Sequence, residues 1–578
     1  MSFFDELKRR KVYQVPALYL VVSWLVLQVA DVFMDFLPLP EWTGSLIFVL
    51  LVLGFPVALV LAWAFQLTPE GLRREDGPGE TATQGSRSYK LDALIALALL
   101  TAAGYALYSR DWDGGSGSAG SPSRIDAIVV LPLDDLTNDP AQAYFVSGMH
   151  EALITELSKV EALSVISRIS AMAYKDSEKS LRQIARELGV DAVVTGSVLR
   201  AGSTVRVTAQ LIEAGTDRHL WAENYDRELT DILALYGEVA REIVAQIRVE
   251  VTPEEASRLS ASRTVSPAAY ERYLQGRYLC ENWSPQEMQQ GIDLMREASR
   301  LDPAYAPAQA ELALCLQYSA FFNYVLPLDV YEESKAAAQR AVELDEQLAE
   351  AHVAMAGVLY YLEFDRAAAE LELQRALELN PGSVKALIHS SWLLGESGRF
   401  EDALPPTLKA IELDPLNTSA NHALGQIYLL ARDFDAAIEA FDKALALDRG
   451  DPVLVAWPAW AYVEQGELQR ALDLSRTAVE LSGRAPLYVS QLAYIHARMG
   501  SLDEARRLRE ELRQSDLAAA SDLALVHIGL GEYEEAIDQL ELAFEQRNGA
   551  LVYIHHGAPF DPLRDYPRFQ RLLNRFDR

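Results

Sequence analysis

The chain has 578 residues, half of them apolar, with 83 acidic against 52 basic side chains and a formal net charge of -31. That length allows several domains with buried cores, and so acidic a surface repels phosphate, which argues against nucleic acid as a partner. Two cysteines, Cys280 and Cys315, are too few for a disulfide framework or a four-thiolate zinc site; within helices, small buried apolar residues are expected there.

Residues 1–110 read as a membrane anchor. Apolar runs at about 12–36, 43–66 and 91–109 meet or approach the length of about 20 residues that a spanning helix needs. Aromatics at their ends, Tyr13, Trp24, Trp42 and Trp63, suit an interfacial belt. Lys8, Arg9, Arg10 and Lys11 precede the first run, and Arg73, Arg74, Arg87 and Lys90 lie between the second and third. Cations are retained in the cytoplasm, so a membrane protein with a cytoplasmic N-terminus, three transmembrane helices and residues after about 110 exported is expected. If only two runs insert, the remainder faces the cytoplasm.

Residues 111–124, DWDGGSGSAGSPSR, form a Gly/Ser linker with nothing to bury. From Ile125 the pattern changes to that of a small α/β domain with a mixed sheet, over 125–250. AIVVLPLDD reads as a buried strand, Tyr144–Lys159 as a helix, and DAVVTGSVLR, STVRVTAQLIE and HLWAENYDRE as further strands, with Gly202 at a hairpin. Asp134, Asp135, Asn138 and Asp139 offer oxygens to a cation but lack the spacing of a calcium loop, so a strand-ending turn is expected. The motif order AIVVLPLDDLTNDPAQAYFVSGMHEALITELSKV, LSVISRISAMAYK and RQIARELGVDAVVTGSVLRAGSTVRVTAQLIEAGTDRHLWAENYDRELTDIL resembles the TolB-like amino-terminal domain. That resemblance implies a bacterial envelope location, here the inner membrane with residues after about 110 periplasmic, and macromolecular contacts, and no known reaction.

The C-terminal half repeats. Leu-Asp or Leu-Asn signatures and their variants begin at Leu301, Leu344, Leu379, Leu413, Leu447 and Leu481, settling to 34-residue steps. Small residues recur where paired helices must approach and large ones where successive pairs interdigitate, as with Gly425, Tyr428, Ala437, Phe441 and Ala444. The pattern resembles tetratricopeptide repeats. About eight units over 265–548 predict an all-α solenoid, and 549–578 a C-terminal cap with a helix from Pro567.

Such an array presents an inner face lined by the first helix of each pair. Positions sharing one helical stripe nominate Lys385, Trp392, His422, Gln426, Trp460 and Tyr494 as a partner-binding groove; the alternative for these large side chains is packing within the array. No phosphate loop, dinucleotide fingerprint, zincin or nucleophile-elbow motif occurs, so no catalytic residue, metal or cofactor is expected. The reading is a non-enzymatic, membrane-anchored scaffold or sensor that binds a protein or peptide in the repeat groove. A small-ligand receptor or enzyme built on the α/β domain is the alternative. Partner identity and oligomeric state are not readable from the sequence.

Overall fold

The computed structural model describes residues 19, 22–24, 26, 51, 66–68, 71–73, 125–137, 143–175, 177–247, 249, 251–260, 265–280 and 284–576. The chain divides into two units, Met1–Ser121 and Pro122–Arg578.

In the first unit, strand β1 (Gln66–Thr68) pairs antiparallel with β2 (Gly71–Arg73), and the Tyr19 hydroxyl donates to the Leu51 carbonyl at 2.7 Å. The expected fold class with three transmembrane helices is corrected here. Among the described residues no helix is long and apolar enough to cross a membrane, and the three-span inner-membrane location goes with it. At the end of the second apolar run Gln66 enters an extended ladder. Nearly all of the runs at 12–36, 43–66 and 91–109 lies outside the described residues.

The second unit begins with a six-stranded mixed sheet of order β5-β3-β6-β7-β8, in which β4 also pairs with β6. β3 (Ala127–Val130), β5 (Ser164–Ile166) and β6 (Ala192–Ala201) run parallel; β6, β7 (Thr204–Glu213) and β8 (Arg218–Glu228) run antiparallel. The pleat sorts β3 onto two cores. Ile128 and Val130 join one with helices α1 (Ala143–Leu157) and α4 (Ile232–Ile247), while Val129 joins the other with Ile184, Ala185 and Leu188. Between them in the chain lie the short helix α2 (Arg168–Met172) and α3 (Leu181–Leu188). Ser180 and Gln183 form a reciprocal capping box at the start of α3, and Gly189 ends it at φ 68°, a conformation that glycine adopts without strain. The acidic turn begins as β4 (Asp134–Asp135), paired with Ser197 and Val198; Asn138 and Asp139 lie outside the described residues.

After α5 (Pro253–Ser260), helices follow in antiparallel pairs. Among the described residues these are α6/α7 (Pro267–Cys280, Pro285–Leu301), α8/α9 (Ala306–Phe321, Pro327–Leu344), α10/α11 (Ala349–Gly357, Arg366–Leu379), α12/α13 (Val384–Glu396, Phe400–Leu413), α14/α15 (Thr418–Leu430, Phe434–Leu447), α16/α17 (Pro452–Glu464, Leu468–Leu481), α18/α19 (Pro486–Arg498, Leu502–Arg513) and α20/α21 (Ala520–Leu530, Tyr533–Glu545). From α12 onward the first helices begin at Val384, Thr418, Pro452, Pro486 and Ala520, 34 residues apart each time. Asp or Asn caps the start of α11, α14, α15 and α16 by accepting a backbone N–H. Alanines 0–1 % exposed, such as Ala437 and Ala444, let the helices close. A Cβ on Gly425 would run into the Phe441 ring, so the glycine here serves close approach.

The first pair fuses with the sheet domain: Tyr270, Leu274, Ala298 and Tyr305 share the core of α1 and α4, and the Tyr236 and Tyr270 hydroxyls are 2.6 Å apart. Farther along, the Ser170 hydroxyl donates to Asp414 Oδ1 at 2.5 Å and accepts from the Leu416 N–H at 2.9 Å, while the Ser167 N–H donates to the Leu413 carbonyl. Cys280 and Cys315 are joined in a disulfide between α6 and α8. This differs from their expected role as separate small apolar residues, because adjacent first helices bring the two side chains face to face.

Candidate chamber on the inner face of the repeats

The array curls until its last pair meets the second and third. The Phe364 ring lies 5.3 Å from Phe544 and 4.8 Å from Phe576, the latter on the terminal helix α22 (Pro567–Phe576). Arg547 donates to the Leu362 carbonyl at 2.7 Å and its guanidinium sits 4.0 Å over the Tyr331 ring. Asn323 donates to Asp522 at 3.2 Å.

Between α21 and α22 the chain turns inward. Two 3₁₀ turns, Gly549–His555 and Ala558–Leu563, cross the inner face. Asn548 caps the first, and prolines 559 and 562 keep the segment from continuing as an α-helix. Leu551, Val552 and Ile554 are fully buried, and the Tyr553 hydroxyl accepts from Gln426 Nε2 at 3.1 Å with its ring 5.2 Å from Trp457. Asp561 pairs with Arg432 at 2.9 Å. The tail therefore does more than cover the array's last helix, the role expected of it: residues 549–563 are seated along the inner face of the repeats.

A buried acid marks the seat. Glu396, 3 % exposed, accepts from the Tyr360 hydroxyl at 2.5 Å and also from Tyr553. Burial raises its pKa to about 7, against the opposing effect of these hydrogen bonds. Asp522 is likewise raised to about 7 by burial, and burial lowers His422 and His389 to about 3, so both imidazoles are neutral.

Beside the tail remains a cavity of about 250 Å³. Trp392, His422, Gln426 and Trp460 of the nominated groove all line it. Lys385 and Tyr494 do not. The Lys385 ammonium is 3.4 Å from Glu311, in a separate cavity of about 870 Å³ between the sheet domain and the repeats. In that cavity Glu151 is paired with Arg277 at 2.9 Å and Arg168 at 3.1 Å; burial opposes its ionisation, but these cations outweigh burial and lower it to about 2. Tyr494 is 3 % exposed, packs 5.6 Å from Trp460, and accepts from Arg498 at 2.8 Å, so it serves packing. The stripe missed Trp457 and Gln491, both at the sixth position of their units, one residue from the stripe and turned toward the cavity. Including that position finds them. Tyr553 and Phe560 carry no repeat signal, because they follow the last pair.

Residues 126–241 match the family described as HilA/YgeH-like transcriptional regulator, second domain, and 419–451 match the tetratricopeptide repeat. The domain resembling a TolB-like domain is thus matched under a different description. Among curated proteins, the chain is 36 % identical over 238 residues to putative adenylate cyclase 3 of Rhizobium meliloti, covering 41 % of this chain and 40 % of that protein. It is 22 % identical over 247 residues to transcriptional regulator HilA of Salmonella typhimurium, covering 42 % and 44 %. The chain spans less than half the length of each. A solved structure of Pseudomonas aeruginosa pilF aligns at 23 % identity and TM-score 0.30, covering 42 % of this chain and 98 % of that one. The chain contains tetratricopeptide repeats.

Proposed function

We propose that the chain is a non-enzymatic scaffold or sensor that binds a protein or peptide partner on the inner face of its repeats, with the sheet domain fixed to the array as a regulatory module. The observation that carries this reading is the seating of residues 549–563: a chain segment already lies on that face, anchored by an aromatic side chain bonded to Gln426 and Glu396. A partner then competes with the tail. Of the net charge of -31, -29 lies beyond residue 124, which favours a neutral or basic partner. The TolB-like resemblance and the HilA-type match fall on the same sheet domain, and we take them as two descriptions of one module.

A photo-crosslinking residue at Trp460, inside the cavity, and another at Leu371, 66 % exposed on α11, test this. Adducts to a protein partner from position 460 and none from 371 are expected; equal labelling, or none from 460, rejects the reading. The similarity to a protein named putative adenylate cyclase favours a second reading, catalysis. Incubation of the purified chain with ATP and Mg²⁺ or Mn²⁺ decides it: formation of cyclic AMP replaces the scaffold by an enzyme.

A further inference from the structure

The chamber beside the tail has a chemistry of its own, which stands apart from the partner reading. Its walls are aromatic, including Trp392, Trp457, Trp460, Tyr488, Phe322 and Phe560. Three carboxyl groups, Asp451, Glu464 and Asp522, line it, and no lysine or arginine does. Glu464 has a cation at 3.8 Å, Arg498, outside the lining, while Asp522 accepts the Ala519 N–H at 2.9 Å.

The decisive observation is a set of buried side-chain atoms without partners. His422 Nε2, Gln426 Oε1 and Gln491 Oε1 are buried without a hydrogen-bond partner, on residues 5 %, 4 % and 3 % exposed. His422 and Gln426 lie about one turn apart on α14 and Gln491 lies on α18, and all three residues line the chamber. The amide nitrogens of both glutamines are already engaged, Gln426 with Tyr553 and Gln491 with the Ala456 carbonyl at 2.9 Å, which fixes their oxygens as the free ends. Buried polar atoms are nearly always satisfied in folded proteins, and three orphans in one cavity call for a donor that enters it. The Trp392 indole N–H on this wall is also buried without a partner.

We propose that the chamber binds a small organic ammonium ion with an aromatic body of one or two fused rings, its N–H groups donating to Gln426, Gln491 and His422. Aromatic faces attract a cation through the ring quadrupole, the Glu464 side chain on the lining adds to the attraction, and the neutral His422 imidazole accepts through Nε2 in the tautomer protonated at Nδ1. The volume fits: about 250 Å³ exceeds the ~150 Å³ of an apolar cavity that takes benzene. Because Tyr553 and Phe560 form part of the wall, a free small molecule is the occupant that the seated tail accommodates. A partner that displaces the tail also removes the ligand's wall.

Calorimetric titration of the full chain tests the assignment with four probes: tryptamine, indole, indole-3-acetate and a lysine-containing tetrapeptide. Saturable one-to-one binding of tryptamine is expected, about tenfold or more tighter than indole-3-acetate, the difference one charge-assisted hydrogen bond makes. Gln491→Leu is expected to weaken tryptamine about tenfold while leaving indole unchanged, with circular dichroism confirming that the variant folds. Glu464→Gln, at a half-buried position, is the second variant and is expected to narrow the gap between tryptamine and indole-3-acetate. Absence of tryptamine binding at millimolar concentration, equal affinity for the cation and the anion, or an unchanged affinity in folded Gln491→Leu overturns the proposal. Tighter binding of the tetrapeptide than of tryptamine overturns the choice of a free amine.

Discussion

Replacing Glu396 by Gln tests whether the buried carboxyl beneath Tyr553 governs the seating of the tail. Holding a carboxyl at about 7 against its ordinary 4.5 corresponds to about 3 kcal/mol of preference for the neutral form. The pKa is raised in the folded state, so this contribution is fully present below 4.5 and is lost as pH rises toward and through about 7. Gln cannot ionise and keeps one oxygen to accept from Tyr360 or Tyr553. The wild-type chain should therefore lose up to about 3 kcal/mol relative to Glu396→Gln between about pH 4.5 and pH 8. Asp522, raised in the same direction, gives its own slope in both proteins, and the neutral histidines 389 and 422 give an opposite one below about 6.5. The difference between the two proteins cancels these contributions. Urea melts followed by tryptophan fluorescence across that range, with proteolysis at 549–563 as a local readout, measure it. Parallel pH profiles for the two proteins would refute the reasoning.

Gly425→Ala sets a methyl against the Phe441 ring and should destabilise the array by about 1 to 3 kcal/mol, read from the same melts. Asp414→Ala removes the acceptor of the Ser170 hydroxyl and N–H and of the Asn417 side-chain amide; a loss of about 1 to 3 kcal/mol should appear as faster hydrogen exchange at 164–172 and at the start of α14. The Cys280–Cys315 bridge closes a sequence separation of 35, so Cys280→Ala with Cys315→Ala should cost about 3 to 4 kcal/mol on the chain-entropy account. Unfolding of the oxidised chain with and without reductant checks this independently.

The repeats were legible because each unit must solve the same local packing problem. The Leu-Asp/Asn steps and the Gly425, Ala437 and Ala444 pattern report contacts made within a pair or to the next. Trp392, His422, Gln426 and Trp460 share one cavity wall for the same reason, since helical phase within a unit decides which side chains face inward. Lys385 shares that phase but faces the sheet domain, a neighbour far away in sequence. Tyr494 is roofed by α20, where a Cβ on Gly529 would stand 3.1 Å from its ring. The return of 549–563 was not legible, because it depends on curvature summed over the whole array, a small rotation at each pair. The apolar runs of the first unit illustrate a different limit: hydropathy reports what a segment avoids, and the ladder at Gln66–Arg73 is set by pairing, which hydropathy does not encode.

The central claim is that residues 549–563 occupy the inner face of the repeats. A photo-crosslinking residue at Tyr553, followed by peptide mass spectrometry of the monomeric product, tests it most directly. The tail's seat predicts intrachain adducts to the stretch from Gln426 to Trp457, which lie 3.1 Å and 5.2 Å from Tyr553. Adducts confined to sequence neighbours, or none within the chain, would contradict it.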